Sequence, residues 1–194
     1  MKSNKYTIVC EGQTELYFFQ ELKTTIFENK KIQQCKKHKP KVIKGTINTN
    51  SYIDGNDCCI VFYLIDEDEL KSNEIFKHKQ NIQNKNGKLI ISKPCLEIIL
   101  LAIFGNVINN PKISKKDVYD KLTKILISNK IINKNEKYSK TSNIILAKII
   151  KFIKNDEKSI NDWINNISKL RLEENNIEFN NFNLIIKFLR SNNE

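Results

Sequence analysis

The chain has 194 residues, of which 40% are hydrophobic, and it carries a formal net charge of +11. This is enough for one domain, or for one domain with an extension, and no segment approaches the roughly 20 apolar residues of a membrane span. The five cysteines form no Cys-x-x-Cys pair, which argues against a zinc site or a disulfide framework. We therefore expect a cytoplasmic protein with buried thiols and no membrane association.

The basic charge comes almost entirely from lysine, since arginine occurs only at Arg171 and Arg190. An A/T-rich coding genome would produce much of this bias, so position is more informative than total charge. Between Glu28 and Asp54 there is no acidic residue. The lysines in this stretch, here called the lysine strip, are Lys30, Lys31, Lys36, Lys37, Lys39, Lys41 and Lys44. A solvated loop and a phosphate-contacting surface both explain such a run.

The first part of the chain alternates predicted strands and helices. The predicted strands are 6–10, 41–44, 58–65 and 88–92, and the predicted helices are 13–29, 70–83 and one that opens at Pro94 and reaches Phe104. The strand over 58–65 is apolar nearly throughout, which is typical of a strand covered on both faces. This alternation predicts an α/β fold whose mostly parallel sheet is flanked by helices.

After Gly105 the apolar residues recur at steps of three and four, which predicts a helical remainder. The predicted helices are 111–129, 142–154, 159–174 and 181–190, with an exposed loop over 128–137. We therefore predict a domain of residues 1–108 and an α-helical C-terminal extension of residues 109–194 that packs on it.

Acidic residues follow two of the predicted strands. Glu11 and Glu15 come after the first strand, and Asp66 and Asp68 come after the apolar strand over 58–65. Since the carboxyl ends of parallel strands meet at one edge of a sheet, we expect these side chains to converge there. Carboxylates with waters and substrate phosphates are the usual ligands of Mg²⁺, which predicts a site for Mg²⁺ (or Mn²⁺) in phosphodiester chemistry. The alternative is that these acids only stabilise the starts of helices.

Three segments, in this order, resemble the motifs of the RloB-like group of TOPRIM-type proteins. Residues 8–18 are similar to an apolar strand followed by Glu-Gly-x-Thr-Glu and an aromatic pair, and residues 61–68 to an apolar strand ending in Asp-x-Asp. Residues 92–101 resemble a third motif, Ser-Asn-Pro-x-Phe-Glu-x-Trp-Leu-Leu. The resemblance covers residues 6–104 and implies a TOPRIM-like metal-binding domain.

The resemblance also implies roles for the acids of the first two motifs. Glu11 would be the general acid/base or a metal-linked carboxylate, and Asp66 and Asp68 would be metal ligands. Glu15, which matches the second glutamate of the nuclease-type motif, would help to hold a second ion.

Two residues of the third motif are further candidates for catalysis. Glu97 is the only charged residue between Cys95 and Phe104, and Lys93 would supply positive charge to a scissile phosphate. The alternatives are a glutamate in a first helical turn and a surface lysine.

The third motif departs from the pattern at several positions. Lys93 stands where asparagine is usual, Leu96 replaces phenylalanine and Ile99 replaces tryptophan. Ile103 takes the place of a histidine often found near the end of the motif. The apolar changes affect packing, whereas the missing histidine removes a proton carrier or a phosphate contact.

Together these features predict a metal-dependent nuclease that cuts DNA or RNA, with tRNA among its candidate substrates. The resemblance implies a phage-defence effector in abortive infection that works with a partner ATPase of the ABC or AAA type. The sequence has no P-loop pattern, which is consistent with an ATPase on another chain. One alternative is a catalytically weak TOPRIM module that binds nucleic acid or the ATPase, and a weaker one is a phosphotransfer receiver domain.

Overall fold

The computed structural model describes residues 5–10, 12–22, 41–44, 59–66, 80, 87–139, 143–156, 160–174 and 177–184. The chain divides into two compact units, Met1–Ile91 with Leu184–Glu194, and Ser92–Asn183. We call them the first and the second unit. The first two motifs belong to the first unit and the third motif opens the second, so the boundary predicted at residue 108 falls inside the second unit.

The first unit contains a four-stranded sheet with the strand order β2-β1-β3-β4. Its strands are β1 (Lys5–Cys10), β2 (Lys41–Lys44), β3 (Cys59–Asp66) and β4 (Gly87–Ser92). β1 runs parallel to both β2 and β3. The strands predicted from the sequence are therefore confirmed, each to within a residue at either end.

β1 lies in the interior of the first unit. Ile8, Val9 and Cys10 are consecutive and all buried, which means that both faces of the strand are covered. Helix α1 (Gln13–Leu22) contacts β1 and β2, and its Phe18 and Phe19 are also buried. The rest of the helix predicted to residue 29, and the helix predicted over 70–83 apart from residue 80, lie outside the described residues.

The second unit is mainly helical. Its helices are α2 (Ile98–Ile103), α3 (Lys115–Ser128), α4 (Asn143–Asn155) and α5 (Ile160–Ser168). Every residue of α2 is buried, because the helix is apolar throughout and packs against both α3 and α5. Within the part of the chain that the structure describes, no helix combines the length and the hydropathy needed to cross a membrane.

Pro94 does not open a helix, contrary to the prediction. The Lys93–Pro94 peptide bond is cis and α2 begins only at Ile98. The first turn forms later, where the Ile98 N–H donates to the Cys95 carbonyl at 3.2 Å. The physical reason is that the main chain of Lys93 is bonded to the side chain of Asn180, which holds this segment in a non-helical conformation.

The helix predicted over 159–174 ends early, at Ser168. A hairpin follows, in which β5 (Leu172–Glu174) pairs antiparallel with β6 (Ile177–Phe179). Leu172, Ile177 and Phe179 are buried, whereas Glu173 between them in the pattern is exposed. This is the alternation of a strand, so the helical prediction for these residues was wrong. The helix predicted over 181–190 lies mostly outside the described residues.

The cysteine prediction can be checked at two positions. Neither Cys10 nor Cys95 forms a disulfide, and both are fully buried, as expected. Burial raises the pKa of the Cys10 thiol well above its usual range. Such a thiol stays protonated and behaves as a small apolar side chain.

Candidate functional site

The parallel pairing of β1 with β3 brings the ends of two acidic segments to one edge of the sheet. Cys10, the last residue of β1, is in register with Leu64 of β3. β3 continues to Asp66, about 6.6 Å further along the strand direction. Glu11 follows Cys10 in the sequence and, like Asp68, lies outside the described residues.

Glu15 is the predicted metal ligand whose side chain the structure describes. It lies in the first turn of α1 and is buried, with 5% of its surface exposed. Its negative charge adds to the effect of burial in raising the pKa of the Cys10 thiol. The Glu15 carboxylate is therefore close to the carboxyl end of β1, which is the edge predicted for the site.

Gly12 of the first motif leaves room for the Glu15 carboxylate. A β-carbon added there would collide with Glu15 Oε2 and would lie 2.8 Å from Glu15 Cδ. Gly12 also accepts the first hydrogen bond of α1, from the Leu16 N–H at 3.1 Å. A side chain at position 12 would therefore force the buried Glu15 carboxylate to move, whereas the backbone of Gly12 does not have a positive φ.

The lysine strip is described only where it forms β2. Lys41 and Lys44 are the ends of this strand, and Lys44 is in register with Cys10. The backbone of Lys44 therefore reaches the same edge of the sheet as Cys10. The strip residues outside the described part of the chain are Lys30, Lys31, Lys36, Lys37 and Lys39.

Lys93 of the third motif is held by the β5–β6 hairpin. Its ammonium group forms an ion pair with Glu174 and lies 4.8 Å from the centre of the Phe179 ring. Only 13% of the Lys93 side chain is exposed, so this is a partly buried charge pair. The predicted contact of Lys93 with a scissile phosphate stays a prediction. To make that contact, the Lys93 ammonium group would have to leave Glu174.

Asn180 fixes the main chain on both sides of the Lys93 α-carbon. The Lys93 N–H donates to Asn180 Oδ1 at 2.8 Å, and Asn180 Nδ2 donates to the Lys93 carbonyl at 2.9 Å. Asn180 is 1% exposed and has a φ of 56°, a left-handed conformation that asparagine tolerates better than most residues. The side chain completes the backbone hydrogen bonding of a buried turn.

Glu97 of the third motif is bonded to a tyrosine from a distant loop. Its side chain is 4% exposed, and its Oε1 accepts a hydrogen bond from the Tyr138 hydroxyl at 3.1 Å. Tyr138 is 5% exposed. Glu97 is the N-cap residue of α2 and makes no side-chain hydrogen bond to that helix. Its role in catalysis and the alternative, an acid at the start of a helix, both stay predictions.

The partners of the third motif were missed by sequence reasoning. They are Tyr138, Glu174, Phe179 and Asn180. A signal existed for two of them, since Glu174 and Phe179 belong to short alternating segments around an Asn-Asn pair. Tyr138 is an aromatic residue at the end of the polar loop over 128–137, which is a weaker signal.

The predicted metal ligands remain predictions as a set. Among the residues that the structure describes, no group of three or more His, Cys, Asp and Glu side chains is placed to hold a metal ion. Glu11 and Asp68 are outside this part of the chain, and Asp66 is described there as the end of β3.

The model of the RloB-like protein family matches residues 6–189. The chain belongs to the RloB-like family. The match extends over the three motifs, over α2 to α5 and over the hairpin, so it covers both units. No curated protein and no solved structure matches the chain.

Replacement of Gly12 by alanine should displace the Glu15 carboxylate, because the new methyl group and Oε2 would occupy the same volume. We expect the free energy of unfolding, measured by urea denaturation, to fall by about 1 kcal/mol. The same replacement in a Glu15→Ala background should cost much less. An equal cost in both backgrounds would contradict the close contact between Gly12 and Glu15.

Asn180→Ala should lower the free energy of unfolding by about 2 kcal/mol, because it leaves the buried main-chain groups of Lys93 without partners. Glycine tolerates the positive φ of this position. If the lost stability comes from the hydrogen bonds, Asn180→Gly should therefore lower the free energy of unfolding by a similar amount. Asn109 is a matched control, since its amide bridges the main chain of Lys169 and Arg171 at an exposed site. Equal losses for Asn180→Ala and Asn109→Ala would contradict the importance of burial.

Proposed function

We propose that this RloB-like protein is a divalent-metal-dependent nuclease of the TOPRIM type that hydrolyses phosphodiester bonds of DNA or RNA. The observation that carries the proposal is the register of β1 and β3. Because Cys10 is paired with Leu64, the acids that follow β1 and the acids that end β3 start from the same edge of the sheet.

The donor set fits a hard divalent cation. Asp66 and Asp68 would hold Mg²⁺ or Mn²⁺, and Glu15 would support a second ion, because carboxylate oxygens are the preferred protein ligands of these metals. The bound ions would stabilise the charge of the phosphate and lower the pKa of a bound water. Glu11 would accept or donate the proton of this reaction. The burial of the Glu15 carboxylate near the end of β1 supports this arrangement.

The lysine strip is proposed to bind the phosphate backbone of the substrate. The pairing of Lys44 with Cys10 supports this role, because it brings the end of β2 to the sheet edge of the acids. Contacts between lysine and phosphate release counterions, so binding by such a strip would weaken as the salt concentration rises. The net charge of +11 is favourable for the same interaction.

The setting is proposed to be phage defence in the cytoplasm. RloB-like family membership and the absence of a P-loop pattern in the sequence support a function beside a partner ATPase of the ABC or AAA type. The partner would supply nucleotide hydrolysis and this chain would supply the cut, as an effector of abortive infection.

A second candidate is a catalytically weak TOPRIM module that binds nucleic acid or the ATPase. The observation that favours it is the state of the third motif, in which the Lys93 charge is already paired with Glu174. In addition, the histidine often found near the end of this motif is replaced by Ile103, which has no polar side-chain group. Such a module would bind substrate without cutting it.

The test is a cleavage assay with Mg²⁺ or Mn²⁺ on plasmid DNA, single-stranded DNA and tRNA, with and without the neighbouring ATPase. Asp66→Ala should lower the cleavage rate by at least about 100-fold, the typical effect of removing a group that stabilises charge in the transition state. Asp120→Ala is the matched control, since Asp120 is an exposed acid on α3, and it should cut like the wild type. Equal cleavage by the wild type and Asp66→Ala would overturn the proposal.

Removal of the metal provides an independent prediction. Treatment with EDTA should abolish cleavage, and added Mg²⁺ or Mn²⁺ should restore it, because the carboxylates alone cannot neutralise the phosphate. Cleavage that continues in EDTA would contradict a metal-dependent reaction. Binding of the substrates without any cleavage, with the ATPase present, would favour the second candidate.

A further inference from the structure

The Glu97 carboxylate is bonded at one oxygen only. Oε1 accepts the hydrogen bond from Tyr138, while Oε2 is buried and has no hydrogen-bond partner within the described part of the chain. A buried acceptor without a donor costs free energy, more so when the group is a carboxylate. A side chain held in this way is poorly explained by stability, and it is suited to receive a hydrogen bond from a bound molecule.

Tyr138 is itself held in place by α3. Its main-chain N–H donates to Thr123 Oγ1 at 3.0 Å, and the Thr123 hydroxyl donates to the Tyr119 carbonyl at 2.8 Å. The rings of Tyr138 and Tyr119 meet edge to face, with centroids 5.4 Å apart. The position of the Tyr138 hydroxyl is therefore set by packing and by hydrogen bonds that do not involve Glu97.

Tyr138 also keeps its proton. Burial raises the pKa of its phenol well above the usual range, and the charge and hydrogen bond of Glu97 raise it further. The hydroxyl is thus a donor at every pH at which the protein would work. In this hydrogen bond the Tyr138 hydroxyl is the donor and Glu97 Oε1 is the acceptor.

We propose that Tyr138 is a positioning residue for Glu97: it occupies Oε1, so that the buried Oε2 is left to accept a hydrogen bond from a water molecule during cleavage. This inference rests on the proposed nuclease function and adds a residue that none of the three motifs contains. Tyr138 acts through Glu97 and does not itself contact the substrate.

The first experiment compares steady-state cleavage by the full chain and by Tyr138→Phe, which removes only the hydroxyl. We expect kcat to fall about 10-fold with KM changed less than about 2-fold, since one hydrogen bond to a charged group is lost and its loss affects orientation. Tyr119→Phe is the matched control, because it removes the hydroxyl of the adjacent ring, and it should keep the wild-type kcat. Wild-type kcat in Tyr138→Phe would overturn the inference.

A double-variant cycle separates positioning from a structural role. Glu97→Ala removes the group that Tyr138 is proposed to position, and it should lower kcat by itself. If Tyr138 acts only through Glu97, then Tyr138→Phe should cause no further loss in the Glu97→Ala background. A further 10-fold loss there would overturn the inference, because Tyr138 would then act independently of Glu97.

A third measurement does not depend on cleavage. The ¹³C resonance of the Glu97 carboxyl, identified by its absence in Glu97→Gln, should move in Tyr138→Phe and stay in place in Tyr119→Phe. An unmoved resonance in Tyr138→Phe overturns the inference even if the protein cuts nucleic acid. If the wild type cuts no substrate and the resonance moves, the proposed nuclease has failed and the catalytic role of Tyr138 fails with it, while the contact with Glu97 stands.

Discussion

The arrangement of the first unit depends on β1 being paired on both sides and covered on both faces. A strand in this position cannot slide, because a shift of one residue would move every buried side chain by about 3.3 Å and reverse the faces they point to. The register of Cys10 with Leu64 and with Lys44 is therefore a strong constraint. It determines where the segments that follow β1 and β3 leave the sheet, and so where acids and lysines can meet.

The third motif is organised on a different basis, by side chains from the second unit. Lys93 is neutralised by Glu174 and covered by Phe179, whereas Glu97 receives a neutral donor, the hydroxyl of Tyr138. Of the two charged residues of the motif, Lys93 thus has a partner of opposite charge and Glu97 has a neutral one. The family match over residues 6–189 includes the elements that provide these partners, which is consistent with a motif that needs them.

The sequence was sufficient to predict the elements that depend on residues close together in the chain. β1 and β3 were predicted to within a residue because each is a largely apolar run, and the acids that follow or end them were visible in the same segments. The hairpin β5–β6 was missed, because its strands are three residues long and Leu170 and Leu172 continue the apolar spacing of α5. The partners of Lys93 and Glu97 were missed for a different reason: contacts between residues so far apart leave no periodic pattern in a single sequence.

The two hydrogen bonds between Asn180 and the main chain of Lys93 join residues 87 positions apart in the sequence. The ion pair of Lys93 with Glu174 joins residues 81 positions apart. During synthesis the third motif leaves the ribosome long before the segment that holds it. Until then the buried carbonyl and N–H of Lys93 must be satisfied by water, and the turn before α2 has no side chain to define it. Elements made 81 and 87 residues later therefore complete the third motif, so a truncated chain that ends before the hairpin would carry all three motifs and still lack the conformation of the third.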